Sequence, residues 1–149
     1  MEIPKKIKIV EMAPRDGLQN ENKIVPMQGK AEFINRLTEN GFKFIEAGSF
    51  VSPRWIPQMA DTGEVMRSIR RKNSVIYSVL VPNIRGFKAA VAANAGEISI
   101  FGAASETFSK KNINCSIEES LLRFEPVCEA AHQLQIPVRG YVSTVLDCP

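Results

Sequence analysis

The sequence predicts an α/β fold with a parallel sheet, and three observations carry that expectation. Short apolar runs rich in Ile, Val, Phe and Tyr alternate with longer amphipathic ones along the whole chain. Most of the short runs read as nearly continuous apolar stretches, the mark of parallel strands covered on both faces. No linker or low-complexity segment breaks the alternation across 149 residues, a common size for one domain.

Taken in order, the strand candidates are Ile7–Ala13, Phe42–Phe50, Val75–Val81, Glu97–Phe101 and Val138–Leu146. Helices fit between them. Met27–Asn40 places Ala31, Ile34, Leu37 and Thr38 at helical spacing, and Gly41 follows where a C-terminal cap belongs. Thr62–Arg71 and Arg85–Asn94 are shorter, the second closing on Gly96. Ser116 and Glu119 have the spacing of a capping box, in which each side chain satisfies a free backbone N–H at the helix start. The helix that follows shows Leu121, Phe124, Cys128 and Ala131 on one face, which puts Cys128 in the core. Pro126 is expected to kink it by removing a hydrogen bond.

The order is β-α-β-α-β-α-β-α-β. Right-handed crossovers then give a parallel sheet with helices outside it. A doubly wound open sheet and part of an eight-stranded barrel both fit. No G-x-G-x-x-G follows the first strand, so a dinucleotide fold has no support.

Composition narrows the function classes. Hydrophobic residues make up 44% and charged residues 23%, which argues against disorder. A net charge of +3 with scattered basic residues gives no nucleic-acid footprint. No apolar run approaches a membrane span, so no membrane partner is expected. Cys115, Cys128 and Cys148 form no CxxC pair, and their odd number argues against a disulfide framework. MEIPKKIKIV has neither a long apolar stretch nor Arg/Ser richness. The expected compartment is the cytoplasm.

In either fold, ligands bind at the carboxyl ends of the strands. The first strand candidate runs into APRDGLQNE. The plain reading is a connecting loop built on the turn pair Asp16-Gly17. The sharper reading starts from two opposite charges side by side at the functional rim. Asp16 offers a hard oxygen to a divalent cation, while Arg15 offers a planar fork to a carboxylate, phosphate or enolate oxygen.

Four segments then carry a resemblance: VEMAPRDGLQNE, FIEAGSFVSPRWIPQMAD, IFGAASETFSKKNINCSIEES and VRGYVSTVLDCP. Together they resemble the hydroxymethylglutaryl-CoA lyases, in collinear order over essentially the whole chain. RDG followed by Gln is shared with relatives that condense acetyl-CoA with keto acids and specifies only a superfamily. PRDGLQNE with SFVSP and FGAASE is more specific.

The resemblance implies the first half of a (β/α)8 TIM barrel, with about five strands and four helices here. It implies cleavage of 3-hydroxy-3-methylglutaryl-CoA to acetyl-CoA and acetoacetate, a step of leucine degradation. The implied cofactor is a divalent cation, Mg²⁺ or Mn²⁺, with Asp16 as a metal ligand. Arg15 would bind the thioester carbonyl and stabilise the enolate, and Glu46 would orient Arg15.

Other positions carry a bland reading beside the functional one. Glu46 lies in an apolar strand and needs a partner, which Lys43 or Arg139 could supply as a structural pair. Glu11 and Arg139 are expected to pair inside the barrel. Gln19 and Ser49 sit just past strand ends, where they could reach the acyl-CoA substrate or simply serve as loop residues. Lys110, Lys111 and Asn112 read as a basic loop, solvated or facing the anionic end of CoA. His132 and Cys148 have no matching partners for chemistry.

The resemblance also implies what these residues do not supply. The family barrel takes about 250 residues. Its His-x-His pair, its Asn and its glycine-rich loop with the catalytic Cys have no counterpart here. These 149 residues are therefore expected to be inactive alone. They are also expected to expose two edge strands and an apolar interior, and so to form homo-oligomers. A condensing synthase and a non-catalytic acyl-CoA-binding remnant are the alternatives.

Overall fold

The computed structural model describes residues 3–148. Four parallel strands form one sheet in sequence order: β1 (Phe44–Ser49), β2 (Ile76–Leu80), β3 (Glu97–Ala103) and β4 (Val138–Ser143). Between them run α1 (Met27–Glu39), α2 (Thr62–Ser68), α3 (Ile84–Ala92), α4 (Glu106–Ile113) and α5 (Ile117–Gln133).

The first expected strand, Ile7–Ala13, is reduced to a single parallel bridge between Glu11 and Ile45. Two hydrogen bonds make it, Glu11 N to Phe44 O and Glu46 N to Glu11 O, both 2.9 Å. The segment has β1 on one side, Ile7 and Ile9 are exposed, and a tight turn begins at Ala13. With so little apolar burial, no longer ladder forms.

Local chemistry explains the helix ends. Ser116 Oγ accepts from Glu119 N at 3.0 Å, and the Glu119 carboxylate accepts from Ser116 N at 2.7 Å, completing the capping box. Those hydrogen bonds hold the Glu119 carboxyl below its usual value. Gly41 takes φ +94° after α1, a left-handed conformation that costs glycine little. Asn83 caps α3 by accepting from Gly86 N at 3.0 Å.

Two expectations fail here. The helix α5 buries Ser120, Phe124, Val127 and Ala131 rather than the expected Leu121 and Cys128 face, and Pro126 lies inside it. Leu121 is exposed and Cys128 only partly buried. An added helix, α4, also occupies what read as a basic loop, because Ser105 caps it by accepting from Phe108 N.

The core lies between the helices and one face of the sheet. Ile45, Tyr77, Val79 and Ile98 pack there against Ile34, Val65, Met66, Phe87, Ala90 and Val127. Each fully buried aliphatic side chain contributes ~1.5–3 kcal/mol. The opposite face of the sheet carries polar side chains alongside Phe44, Ile76 and Leu80. Registers Glu46↔Ser78↔Glu97 and Ser99↔Arg139 align these residues across the strands, and Tyr141 follows two positions after Arg139. The expected apolar interior is thus in part a lining of hydroxyls and charges.

Candidate active site

The site begins where the first segment leaves the sheet. Ala13–Gly17 forms a π-helical turn, with Asp16 N donating to Met12 O at 2.8 Å. Pro14, lacking an N–H, suits the start of such a turn and is buried. Glu11 Oε1 accepts from Ala13 N at 2.8 Å, which ties the turn to the sheet edge. The turn aims Arg15 across the polar face of the sheet.

There Arg15 Nε donates to Glu46 Oε1 at 2.6 Å, and Arg15 Nη1 donates to Asp16 Oδ1 at 2.6 Å. Glu46 is fully buried, the Arg15 side chain is 11% exposed, and Asp16 is 58% exposed. The two bonds use Nε and Nη1, which leaves Nη2 for a ligand. One cation sits between two anions, the inner one locked and the outer one facing solvent.

Glu46 has two further partners. Ser99 Oγ donates to Oε2 at 2.7 Å from β3, and Tyr141 OH donates to the same oxygen at 2.8 Å from β4. Burial, reinforced by the neighbouring Glu46 charge, pushes the Tyr141 hydroxyl up to about 12. It stays a donor at neutral pH.

Of the other predicted residues, Gln19 and Ser49 stand close in the chain to this cluster and share one property. Gln19 Oε1 and Ser49 Oγ are buried without a hydrogen-bond partner among the described residues. An unpaired buried oxygen costs about 1–3 kcal/mol, so each is a candidate contact for a polar ligand. The β1 register slips between Glu46 and Gly48, where one extra residue is accommodated. That bulge turns Ser49 onto the side shared by Glu46, since an unbroken alternation would turn it away.

Lys111 and Asn112 are exposed on the last turn of α4 and join no hydrogen bond to the Arg15 cluster among the described residues. The expected Glu11–Arg139 pair does not form. Arg139 instead bonds Glu97 Oε1 through Nη2 at 2.8 Å, and Lys8 Nζ reaches Glu97 Oε2 at 3.3 Å. Burial works against the Arg139 charge, but Glu97 outweighs it and raises Arg139 above its ordinary value. Arg139 and Glu97 stand two residues before Tyr141 and Ser99 on their strands, away from the Arg15 turn. His132 is exposed on α5, as expected.

The metal expectation fits in part. Asp16 presents an exposed carboxylate with Oδ1 alone engaged, a suitable hard ligand. Among the described residues no three His, Cys, Asp or Glu side chains converge to hold an ion. Asp16 supplies one ligand, not a full set. No described helix is long and apolar enough to cross a membrane.

Ser99 and Tyr141 were not anticipated as site residues. Their signal is the period-two placement of polar side chains in EISIF and VRGYV, which marks one face of β3 and β4 as a polar lining.

A family profile described as HMGL-like matches residues 6–146. The chain is 62% identical to the mitochondrial hydroxymethylglutaryl-CoA lyase of Gallus gallus, over 98% of this chain and 49% of that protein. It is 61% identical to the cytoplasmic 3-hydroxy-3-methylglutaryl-CoA lyase of Homo sapiens, over 99% of this chain and 40% of that protein. Among solved structures, the hydroxymethylglutaryl-CoA lyase of Pseudomonas aeruginosa superposes with a TM-score of 0.95 at 52% identity, covering all of this chain and 50% of that one. A lyase from Acinetobacter baumannii, in complex with coenzyme A and 3-methylmalate, gives 0.90 at 41% identity, covering 94% and 46%. The chain spans about half the length of the relatives it matches.

Proposed function

The chain belongs to the HMGL-like family, and on that premise we propose that it supplies the Arg15 half of a hydroxymethylglutaryl-CoA lyase site. The reaction is cleavage of 3-hydroxy-3-methylglutaryl-CoA to acetyl-CoA and acetoacetate. The observation that carries this reading is an arginine whose Nε is locked on a buried carboxylate while Nη2 has no hydrogen bond among the described residues.

In the cleavage a base takes the tertiary hydroxyl proton. The electron pair left on that oxygen forms the C=O bond of acetoacetate, the adjacent C–C bond breaks, and its electron pair passes into the acetyl-CoA enolate, which a proton then quenches. Negative charge grows on the thioester oxygen. Arg15 would donate to that oxygen through Nη2, and a donor fixed before the reaction needs no reorganisation as charge develops. Glu46 prevents the guanidinium from rotating away. Gln19 and Ser49, each with an unpaired oxygen, are the proposed contacts to the substrate's polar arm. Lys111 and Asn112 are proposed for the anionic end of CoA, supported by their exposed position on the last turn of α4 and by the family match.

A divalent cation, Mg²⁺ or Mn²⁺, is the proposed cofactor, and Asp16 would hold it. When bound, such an ion lowers the pKa of a hydroxyl it touches and polarises carbonyl oxygens. An acyl-CoA ligand is supported by the neighbour solved with coenzyme A. A cytoplasmic location is proposed, supported by relatives that carry that location in their names. Self-association is proposed from the exposed Val142, Val145 and Leu146 along and after β4. The condensing-synthase reading finds no support among the relatives named above.

The test is acetoacetate production from 3-hydroxy-3-methylglutaryl-CoA by the protein that carries this chain, with and without Mn²⁺. Metal-dependent cleavage supports the reading. Absence of cleavage with the substrate bound would contradict it.

A further inference from the structure

Glu46 is a buried carboxylate held from three separate elements. Its Oε1 takes one donor, Arg15 Nε at 2.6 Å, and its Oε2 takes two, Ser99 Oγ at 2.7 Å and Tyr141 OH at 2.8 Å. Those donors sit on the first turn, on β3 and on β4. A carboxylate on a strand can rotate about its last bond and exchange its two oxygens. Saturating Oε2 with two hydroxyls makes that rotation costly, because it would break two charge-assisted bonds at once. We propose that Ser99 and Tyr141 are positioning residues that clamp Glu46 Oε2, reserving Oε1 for Arg15 and thereby fixing the direction of the Arg15 fork.

The geometry separates this from generic packing. Ser78 is another buried strand serine on the same face, paired in register with Glu46, yet its Oγ donates to a backbone carbonyl, Ile45 O at 3.4 Å. Ser99 donates to the carboxylate instead. Tyr141 is partly exposed, with its hydroxyl also lying 3.6 Å from Met12 Sδ beside the Arg15 turn. The high Tyr141 pKa keeps its proton in place to donate throughout the neutral range. The clamp therefore spans the sheet from β4 to the rim and ends on the residue proposed to meet the substrate.

The inference rests on the lyase reading only for its consequence in turnover; the clamp itself is tested without substrate. In the ¹⁵N-labelled chain, the Arg15 Nε–H resonance is identified by its loss in Arg15→Lys, and its exchange with water is measured. Ser99→Ala and Tyr141→Phe should each speed that exchange about tenfold, the equivalent of one hydrogen bond to a charged group. The double variant should speed it further, and Ser78→Ala should leave it unchanged. Both variants remove only a hydroxyl, so folding is retained and is checked by the amide spectrum. In the protein that carries this chain, kcat for cleavage should fall about tenfold in each variant with KM little changed. Exchange in the double variant within twofold of wild type would overturn the clamp, as would an equal effect of Ser78→Ala. Faster exchange with unaltered cleavage would keep the clamp and sink the role of Arg15 in the reaction.

Discussion

Glu46 Oε1 and Arg15 Nε, 31 residues apart in sequence, meet at 2.6 Å with the carboxylate wholly buried. This pair joins the turn before the sheet to the sheet itself. A buried carboxylate deprived of its cation, or the reverse, leaves an uncompensated charge, which costs ~3–5 kcal/mol. Glu46→Gln, which keeps shape and removes charge, is expected to lower unfolding free energy by about 3 kcal/mol in urea titration. A change under about 0.5 kcal/mol would mean the pair contributes little.

Gly48 is required for a different reason. A Cβ there would lie 2.6 Å from Thr62 Oγ1 and 2.8 Å from Thr62 Cγ2, both on a buried residue of α2. The bulge that redirects Ser49 depends on that close approach. Gly48→Ala should therefore destabilise by ~1–3 kcal/mol, the usual cost of overpacking. Paired with Thr62→Ser, which removes the Cγ2 contact, part of the loss should return. Absence of any rescue would mean the strain lies in the backbone.

Tyr141 gives the chain a signature in alkali. Its folded pKa is raised to about 12 from an ordinary 10, so the folded state holds the proton longer than the unfolded one. The stability this contributes is complete below pH 10 and is lost as pH rises through about 12. Unfolding free energy should decline over that interval in wild type, and Tyr141→Phe should flatten the decline. Identical pH profiles for the two proteins would remove Tyr141 from the account.

The strands β1 to β4 and the helices α1, α2, α3 and α5 were legible because apolar spacing and caps speak directly to local structure. Arg15, Asp16 and Glu46 were legible as charges at strand ends. What escaped the sequence was cross-strand information. The Ile7–Ala13 strand failed because β-structure needs a neighbour on the far side, and periodicity reports no neighbours. The partner of Arg139 was misread as Glu11 because register between β3 and β4 decides it, placing Ser99 opposite Arg139 and Glu97 within reach. Ser99 and Tyr141 were passed over because a serine and a tyrosine in a strand read as ordinary strand residues until a carboxylate is found beside them.

Metal affinity follows from the donor set. With Asp16 as the oxygen ligand and no converging group of three acidic, His or Cys side chains among the described residues, Mn²⁺ should bind the chain no tighter than about millimolar. Asp16→Asn should weaken even that. Isothermal titration with Mn²⁺ is the check, and micromolar affinity would show a site these residues do not account for.

The proposed role of Arg15 is to donate where negative charge develops. Arg15→Gln keeps a donor but loses the charge and the fork, and steady-state kinetics of acetoacetate formation by the protein that carries this chain measures the consequence. The account predicts a fall in kcat of about 10²–10³-fold, the scale of losing a preorganised donor, with KM changed far less. A raised KM with kcat intact would make Arg15 an anchor for a carboxylate or phosphate and would contradict the account.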